Sequence, residues 1–294
     1  MAVAQHLVRR LCVLVACTAL AACSAPPANR VDITAVAPTP ASTELPTAAT
    51  GSYTVDCGRD EENHRNNDNL VASPGVHDGA HHLHDYVGNL ATDAFSTDDV
   101  LAAAKTTCRD GDQSTYYWPA LRLGGHHAEV RTPDSVRIVF EGSPVSKVVA
   151  MPRFLRTVTG DAKAGPTGLP TWTCAGFTDR AIRDYPRCPA GSRMLRVYVF
   201  PSCWDGRSTD SPDHKAHLRF PTANGSCPHA TFPVPRLRIE VGYDLPPDTE
   251  FSIDSFPDVA DRAAASDHAH FIDVRTDRAM ADLVSCINQG RVCP

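Results

Sequence analysis

Residues able to do chemistry concentrate in one short stretch, FPSCWDGRSTDSPDHKAH at residues 200–217. Its acid–base candidates are Asp205, Asp213, His214 and His217. The two histidines are three residues apart, as on one helical turn or across a tight loop. A disulfide-pinned surface loop and part of a functional site both fit this composition, so the remaining histidine motifs are needed to decide.

Two further motifs place histidines two residues apart. HHLHDYVGN contains His82 and His84, and SDHAHFIDV contains His268 and His270. Residues i and i+2 of an extended segment point to the same face, so each pair can converge on one ion or one substrate. Neutral imidazole is a common ligand of transition metals and an acid–base group near neutral pH.

The predicted site joins the loop to the first of these motifs. The prolines and the glycine that follow Phe200 prevent regular structure, so the polar side chains of the loop need partners outside a strand ladder. We expect the loop to leave a strand at Phe200, to be pinned by Cys203 and to return toward His82 and His84. The predicted ligands of a divalent transition metal are His82, His84 and His217. The predicted catalytic residues are His82, His84, Asp205, Asp213, His214 and His217.

Other uses of these residues remain open. Asp205 and Asp213 could form a glycosidase pair, and Tyr117 could share acid–base work with the histidines. Trp118 and Trp204 offer flat apolar faces to sugar rings. The structural alternative is a buried polar network that fixes a loop-rich fold. Convergence of the imidazoles in an open cleft would favour a functional site, and full burial with every nitrogen paired to protein would favour the network.

The N-terminus resembles a bacterial lipoprotein signal. Arg9 and Arg10 precede a short apolar run that ends in Leu-Ala-Ala-Cys, which predicts a signal peptide over 1–22 and lipidation of Cys23. Residues 23–51 are rich in proline, alanine, serine and threonine and have no aromatic residue, so they predict an extended tether without a core. The expected location is the outer face of the cell membrane, held by the lipid alone.

Eight of the 11 cysteines follow this segment. An even number in an exported chain predicts four disulfides, and the absence of CxxC spacing argues against a zinc site built from thiolates. Pairing by neighbours gives the predicted bridges Cys57–Cys108, Cys174–Cys188, Cys203–Cys227 and Cys286–Cys293.

The formal net charge of −6 gives no general attraction to nucleic acid. Alternating apolar residues at 135–140, 193–201 and 236–243 predict half-buried strands. Helices are expected after Ser96 and between an N-cap at Thr276 and a C-cap at Gly290. No GxGxxG, P-loop or GxSxG motif is present. We predict one mainly β domain over 52–294, a sandwich or jelly roll with two or three peripheral helices.

Several segments recur in order along a known family: VASPGVHDGAHHLHDYVGN, AFSTDDVLAAAKTTC, STYYWPAL, RFLRTVTGD, FPSCWDG, SPDHKAHLRFP and HAHFIDV. On these the chain resembles a secreted domain-of-unknown-function family of bacterial and fungal exported proteins. The family's recurrent positions correspond here to His82, His84, Tyr117, Trp118, Cys203, Trp204, Asp205, Asp213, His214, His217 and His268.

The chain departs from the family pattern at His270, where an acidic residue is usual, so the third motif receives no role in the predicted site. Fungal members are often joined to carbohydrate-binding modules, so the resemblance implies a polysaccharide setting. The prediction is therefore an envelope lipoprotein directed at a glycan. It is either a polysaccharide-active enzyme, with a metal as its candidate cofactor, or a non-catalytic protein that binds glycan or metal.

Overall fold

A computed structural model describes residues 30–40, 43–124, 128–163, 170–246, 249–256 and 263–294. The predicted signal peptide and the lipid-anchor residue Cys23 lie outside these residues. Within them, no helix combines the length and the apolar character that a membrane span requires.

Short strands make up most of the regular structure. In the described residues they are β1 (Val31–Asp32), β2 (Ser52–Val55), β3 (Arg65–Asn66), β4 (His84–Gly88), β5 (Thr115–Pro119), β6 (Leu121–Leu123), β7 (Val130–Arg131), β8 (Ser135–Glu141), β9 (Arg156–Gly160), β10 (Thr171–Cys174), β11 (Pro186–Arg187), β12 (Met194–Val199), β13 (Cys203–Trp204), β14 (Leu218–Arg219), β15 (Phe232–Pro233), β16 (Arg236–Tyr243), β17 (Phe251–Ile253), β18 (His268–Ile272) and β19 (Val292–Cys293). The α-helices are α1 (Asp98–Ala103) and α2 (Asp277–Asn288), and Ile33–Ala35 forms a 3-10 turn.

Two sheets pack face to face around the main core. One has the order β10-β12-β16-β8-β2-β19 and the other β3-β4-β5-β18-β9. Across the interface the rings of Phe140 and Phe271 meet edge to face at 5.8 Å, and Trp118 stacks near Tyr198 at 6.3 Å. Burying side chains of this size stabilises the fold by roughly 1.5–3 kcal/mol each. The predicted mainly β, sandwich-like fold is confirmed.

Smaller sheets complete the domain, with the orders β1-β11, β14-β13-β15 and β17-β6-β7. The predicted strands over 135–140 and 193–201 correspond to β8 and β12, and the predicted strand over 236–243 is β16. In β16 the alternate residues Leu237, Ile239 and Val241 are buried, as their period of two predicts.

The first helix begins one residue later than expected. Thr97 is its N-cap, because the Thr97 side chain accepts a hydrogen bond from the Val100 N–H at 3.3 Å. Ser96 is not the cap, since its hydroxyl pairs with Asp93, accepting from the Asp93 N–H at 3.0 Å. The local capping rule therefore located the helix but not the residue that starts it.

The second helix follows its sequence signals closely. Thr276 is the N-cap, and Met280, Leu283 and Ile287 are buried on one stripe against the core. The C-cap is Gln289 rather than Gly290, which comes one residue later with a φ of 70°. A left-handed glycine immediately after the C-cap is a common way to end a helix.

All four predicted disulfides are confirmed with their predicted partners: Cys57–Cys108, Cys174–Cys188, Cys203–Cys227 and Cys286–Cys293. Bridges between neighbouring cysteines hold short connections to the sheets, which stabilises a domain made of short strands.

Part of the predicted tether packs on the domain. β1 pairs in parallel with β11, and the side chain of Ile33 is fully buried. The segment 23–51, predicted as an extended tether without a core, is therefore attached to the domain in its described part. Ile33, in the 3-10 turn, contributes roughly 1.5–3 kcal/mol through its buried side chain, and Ala48 and Ala49 are buried as well.

Candidate functional site

The histidine motifs lie on the outer face of the five-stranded sheet. In β18 the alternate residues Ala269 and Phe271 belong to the main core, so His268 and His270 point to the opposite face. The same alternation in β4 places His84 on that face. Since β4, β5 and β18 are neighbours in the sheet, the motifs meet across β5.

Three imidazoles converge there through their Nε2 atoms. His268 Nε2 lies 3.1 Å from His82 Nε2 and 3.3 Å from His84 Nε2. All three residues are buried. Among the described residues, no carboxylate or thiol belongs to this group of potential ligands. His82, His84 and His268 are called the histidine triad below.

Backbone carbonyls fix the protonation of two triad rings. His84 Nδ1 lies 3.2 Å from the carbonyl oxygen of Asp68, and His268 Nδ1 lies 2.8 Å from that of Ser266. A carbonyl oxygen only accepts hydrogen bonds, so each Nδ1 carries the ring proton and each Nε2 presents a lone pair. The two lone pairs of His84 and His268 therefore face each other at 3.3 Å.

A metal ion between the rings would remove this repulsion. Two nitrogens bound to one tetrahedral zinc ion at about 2.0–2.1 Å lie roughly 3.3 Å apart, close to the 3.1 and 3.3 Å found here. Metal-bound histidines usually donate their other N–H to a carbonyl or carboxylate, as His84 and His268 do. The spacing of the triad nitrogens would allow them to hold one metal ion.

Near neutral pH the triad rings are not protonated, so protonation does not remove the repulsion between the facing Nε2 lone pairs. Burial, and next the neighbouring His268 ring, lowers the pKa of His82 to about 3. Burial lowers the pKa of His268 to about 4. Burial and the adjacent rings also hold the pKa of His84 well below its ordinary value. The triad is therefore neutral at pH 7 and can bind a cation without first losing protons.

A cleft of about 220 Å³ opens onto His82 and His268 of the triad. Its buried lining includes His82, His268 and His270. Gly160, paired with His268 in the sheet, also lines the cleft, with a φ of 86°. A Cβ at Gly160 would lie 2.3 Å from the carbonyl oxygen of Asp267, so only glycine lets β9 approach this closely.

The loop at residues 200–217 forms one wall of this cleft. As predicted, it follows a strand, β12, and is pinned by Cys203. Within this loop, the residues that line the cleft are Asp213, His214 and Lys215. The loop thus approaches the histidine motifs through Asp213 and His214, two of the predicted catalytic residues, and through Lys215, which was not predicted. Asp205 and His217 are not among the lining residues.

His217 does not join His82 and His84, which corrects the predicted metal-ligand set. Its Nδ1 lies 2.9 Å from the Ser211 hydroxyl, and its Nε2 lies 2.7 Å from the carbonyl oxygen of Arg156. Nε2 therefore donates to the carbonyl, and Nδ1 accepts from the hydroxyl. With both nitrogens engaged, His217 holds the loop on β9 instead of binding an ion.

The other polar residues of the loop make local hydrogen bonds. Asp205 accepts the backbone N–H groups of Arg207 and Ser208, and the His214 ring lies 3.0 Å from an Asp210 carboxylate oxygen. Such contacts are typical of turn-forming residues. The catalytic roles of Asp205 and His214 stay predictions.

Asp213 is the most strongly bound of these carboxylates. Hydrogen bonds from the Ala216 N–H, the Ser211 hydroxyl and the Lys215 N–H hold its pKa at about 2. It is therefore ionised at neutral pH and better suited to shaping the turn than to donating a proton. Its predicted catalytic role also stays a prediction.

The predicted sugar-binding aromatics do not line the cleft. Trp118 points to the inner face of its sheet and is fully buried in the main core. Tyr117 is fully buried on the outer face. Trp204 is partly buried, and its indole N–H donates to the carbonyl of Ser208 at 2.7 Å. Trp118 and Tyr117 are thus structural residues, which corrects the predicted sugar-binding role of Trp118 and the predicted acid–base role of Tyr117.

Sequence reasoning left His268 out of the ligand set. The signal was present in HAHFI, where histidines alternate with Ala269 and Phe271 and so must share one face. The neighbouring Asp267 carboxylate forms a fully buried ion pair with Arg196 at 2.7 Å. The proton of His268 is fixed by a carbonyl, which no sequence pattern marks.

Residues 68–273 match the family described as Domain of unknown function (DUF1996). The match covers more than half of the chain and includes the whole triad, and the chain belongs to this family. No curated protein and no solved structure matches the chain.

Proposed function

We propose that this member of the DUF1996 family is a metalloprotein in which the histidine triad binds one divalent transition-metal ion. The observation that carries the proposal is the pair of Nε2 lone pairs of His84 and His268, which face each other at 3.3 Å. Three imidazoles without a thiolate suit zinc, and also copper, iron or nickel. Zinc is the expected ion under ordinary conditions.

Three histidine ligands beside an open cleft are typical of a catalytic metal. A structural zinc site is usually closed by four protein ligands, whereas a catalytic one keeps a position for water or substrate. An ion held there would lower the pKa of bound water to about 7 and make it a strong nucleophile at neutral pH. The proposed activity is metal-assisted hydrolysis of a substrate in the cleft: the water oxygen bonds to the attacked atom, the bond to the leaving group breaks, and the leaving group takes up the proton.

A polysaccharide is the proposed substrate. This part of the proposal depends on the resemblance to exported proteins that accompany carbohydrate-binding modules. The fully buried Trp118 gives it no support, and the candidate stacking surface is the ring of Phe256, which lines the cleft and packs edge to face on His82.

Metal content tests the proposal directly. The full chain, treated with a chelator and then dialysed against Zn²⁺, should contain one ion per chain by mass spectrometry. His84→Ala and His268→Ala should each weaken Zn²⁺ binding by more than about 100-fold, because one of three ligands is lost. The exposed His229 provides a matched control, and His229→Ala should bind as the wild type does. A wild-type chain that binds no Zn²⁺, Cu²⁺, Ni²⁺ or Fe²⁺, or a His268→Ala variant that binds normally, contradicts the proposal.

Export and lipid anchoring are proposed on separate grounds. The Leu-Ala-Ala-Cys sequence and four disulfides both fit a protein that matures outside the cytoplasm. Cys23→Ala should abolish incorporation of labelled palmitate and release the protein from the membrane fraction, or leave an unprocessed precursor. Unchanged fractionation and migration of Cys23→Ala would contradict the anchor.

A further inference from the structure

We infer that His270 donates a hydrogen bond to an oxyanion, a carboxylate or phosphate group, that binds the metal in the cleft. The inference rests on the proposed metal site and adds the chemical class of the ligand that completes it. It starts from a polar atom that the fold leaves without a partner. His270 is about 1 % exposed and lines the cleft, and its Nδ1 has no hydrogen-bond partner among the described residues.

A chain of hydrogen bonds places the proton of His270 on that atom. The Val71 N–H donates to the Tyr117 oxygen at 3.1 Å, so the Tyr117 hydroxyl is free to donate onward to Asn69 Oδ1 at 2.8 Å. The Ala72 N–H also donates to Asn69 Oδ1, at 2.9 Å. The Asn69 amide group must therefore present its NH₂ to His270 Nε2, 3.2 Å away.

This arrangement makes His270 a donor and not a fourth ligand. Its Nε2 accepts from Asn69, so the ring proton of the neutral imidazole lies on Nδ1. The ring is held flat against Tyr117, with centroids 4.5 Å apart and planes 13° apart. Leaving a buried N–H without a partner is unfavourable, so a ligand in the cleft that supplies the acceptor would be stabilised by this fixed donor.

The charge of the site favours an anionic acceptor. Three neutral imidazoles leave a divalent ion with its full charge in a buried position, and the group of potential ligands contains no carboxylate. The nearby carboxylates of Asp254 and Asp267 are already paired with Arg122 and Arg196. An incoming oxyanion would supply the missing negative charge.

The mouth of the cleft is consistent with an anionic ligand. Lys163 and Lys215 line it, and both are exposed. The two carboxylates beside them are engaged by backbone N–H groups, Asp161 by that of Lys163 at 2.9 Å and Asp213 by that of Ala216 at 2.8 Å. The lysine ammonium groups are therefore available to attract an anion toward the metal.

The wild-type chain tests the anion first. The full chain is loaded with Co²⁺, whose visible absorption reports its ligands, and is titrated separately with acetate and with inorganic phosphate. At least one anion should change the spectrum with saturation and should shift the ¹H–¹⁵N signal of the His270 Nδ1–H. Saturation by acetate alone identifies a carboxylate, and saturation by phosphate alone identifies a phosphate.

A pair of variants then tests the donor. In His270→Asn the amide NH₂ lies near the position of Nδ1, whereas in His270→Gln the amide oxygen lies near Nε2 and keeps the Asn69 bond while the donor is lost. His270→Gln should weaken anion binding at least about tenfold, and His270→Asn should restore most of it. Both should bind one Co²⁺ per chain as the wild type does, because His270 is not a ligand.

The outcomes separate this inference from the metal site. If the wild type binds Co²⁺ but neither anion alters the spectrum or the Nδ1–H signal, the inference is wrong and the metal site stands. Equal anion affinity in wild type and His270→Gln also contradicts the role of His270. A chain that binds no metal contradicts both proposals. Should either variant fail to fold, the wild-type titration with its Nδ1–H signal decides the question.

Discussion

The histidine triad and the loop at residues 200–217 contain similar residue types but pair their polar atoms differently. In the loop, Asp213 accepts three hydrogen bonds, and both nitrogens of His217 have protein partners. At the triad, two lone pairs face each other, and the neighbouring His270 has a donor without a partner. The loop is chemically complete within the protein, and the triad is not.

This difference shows that the density of ligand-type residues is a poor guide to a site. A buried polar atom without a partner costs about 1–3 kcal/mol, so each such atom calls for an explanation, and a missing ligand is one of them. The loop looks the richer of the two in the sequence, yet its polar residues act mainly as turn formers and as a wall of the cleft. Unpaired buried atoms occur elsewhere in the described residues as well, Trp172 Nε1 among them, so the site is marked by their coincidence with converging imidazoles beside a cleft.

The largest expected effect is the stabilisation by zinc, which should depend on the triad and not on the loop. At free Zn²⁺ of about 1,000 times the dissociation constant, binding should raise the free energy of unfolding of the wild type by about 4 kcal/mol. His268→Ala should lose this increase, and His217→Ala should keep it. His217→Ala should itself be less stable by about 1–3 kcal/mol, because the Arg156 carbonyl loses its donor. Urea unfolding with Zn²⁺ and with EDTA measures both, and loss of the zinc increment in His217→Ala would return His217 to the ligand set.

A smaller effect should come from opening the loop. The Cys203–Cys227 bridge spans 24 residues, so its removal by the double change to serine should cost about 3 kcal/mol in the free energy of unfolding. Zinc stoichiometry should stay at one, since no triad residue lies in the loop.

The bridge Cys286–Cys293 offers a matched control. It spans seven residues, and its removal should cost about 2 kcal/mol. Urea unfolding gives both costs, and metal analysis gives the stoichiometry. If the variant without the Cys203–Cys227 bridge folds but binds no zinc, the loop is required for metal binding and does not only line the cleft.

The buried carboxylates of Asp60 and Asp85 are an intermediate case between the loop and the triad, because they have a cationic partner but must share it. Asp60 and Asp85 share the single guanidinium of Arg65, at 2.8 and 2.6 Å. Burial, and next the charge of Asp85, raises the pKa of Asp60 to about 8. The folded protein therefore keeps a proton that the unfolded chain releases above about pH 4.

A gradual effect, small over any single pH unit, follows from this proton. Because the folded state binds more protons between about pH 4 and about pH 8, Asp60 should make stability fall as pH rises through that window. The slope should reach at most about 1.4 kcal/mol per pH unit. Asp60→Asn should flatten the profile relative to the wild type in urea unfolding from about pH 5 to about pH 8. Parallel profiles for the two proteins would show that Asp60 is ionised in the fold.

Local patterns were sufficient where local forces decide the structure. Alternation over 236–243 predicted β16, because its apolar side faces one core. Thr276 was predicted as an N-cap, because the cap hydrogen bond is made within one turn. The disulfide pairing was also predicted correctly, because each cysteine is bonded to its neighbour in the sequence.

Local patterns failed where both faces of a strand are buried. In β5 every residue is buried, so the aromatic residues Tyr117 and Trp118 face opposite sides without any contrast of polarity between them. The sequence offered Trp118 as a flat face for sugar rings and Tyr117 as an acid–base group. On the outer side, Tyr117 is covered by the loop that carries Asn69 and Val71, whose polar groups hydrogen-bond to the Tyr117 hydroxyl.

The sequence by itself determined that each HxH pair shares a face, because side chains alternate along any strand. It also determined the mainly β class and the number of bridges. Which histidines meet was decided by the tertiary structure: β4 and β18 flank β5, and this order joins His84 to His268 over a separation of 184 residues. Sheet order depends on contacts between distant segments, and no short stretch of sequence carries that information.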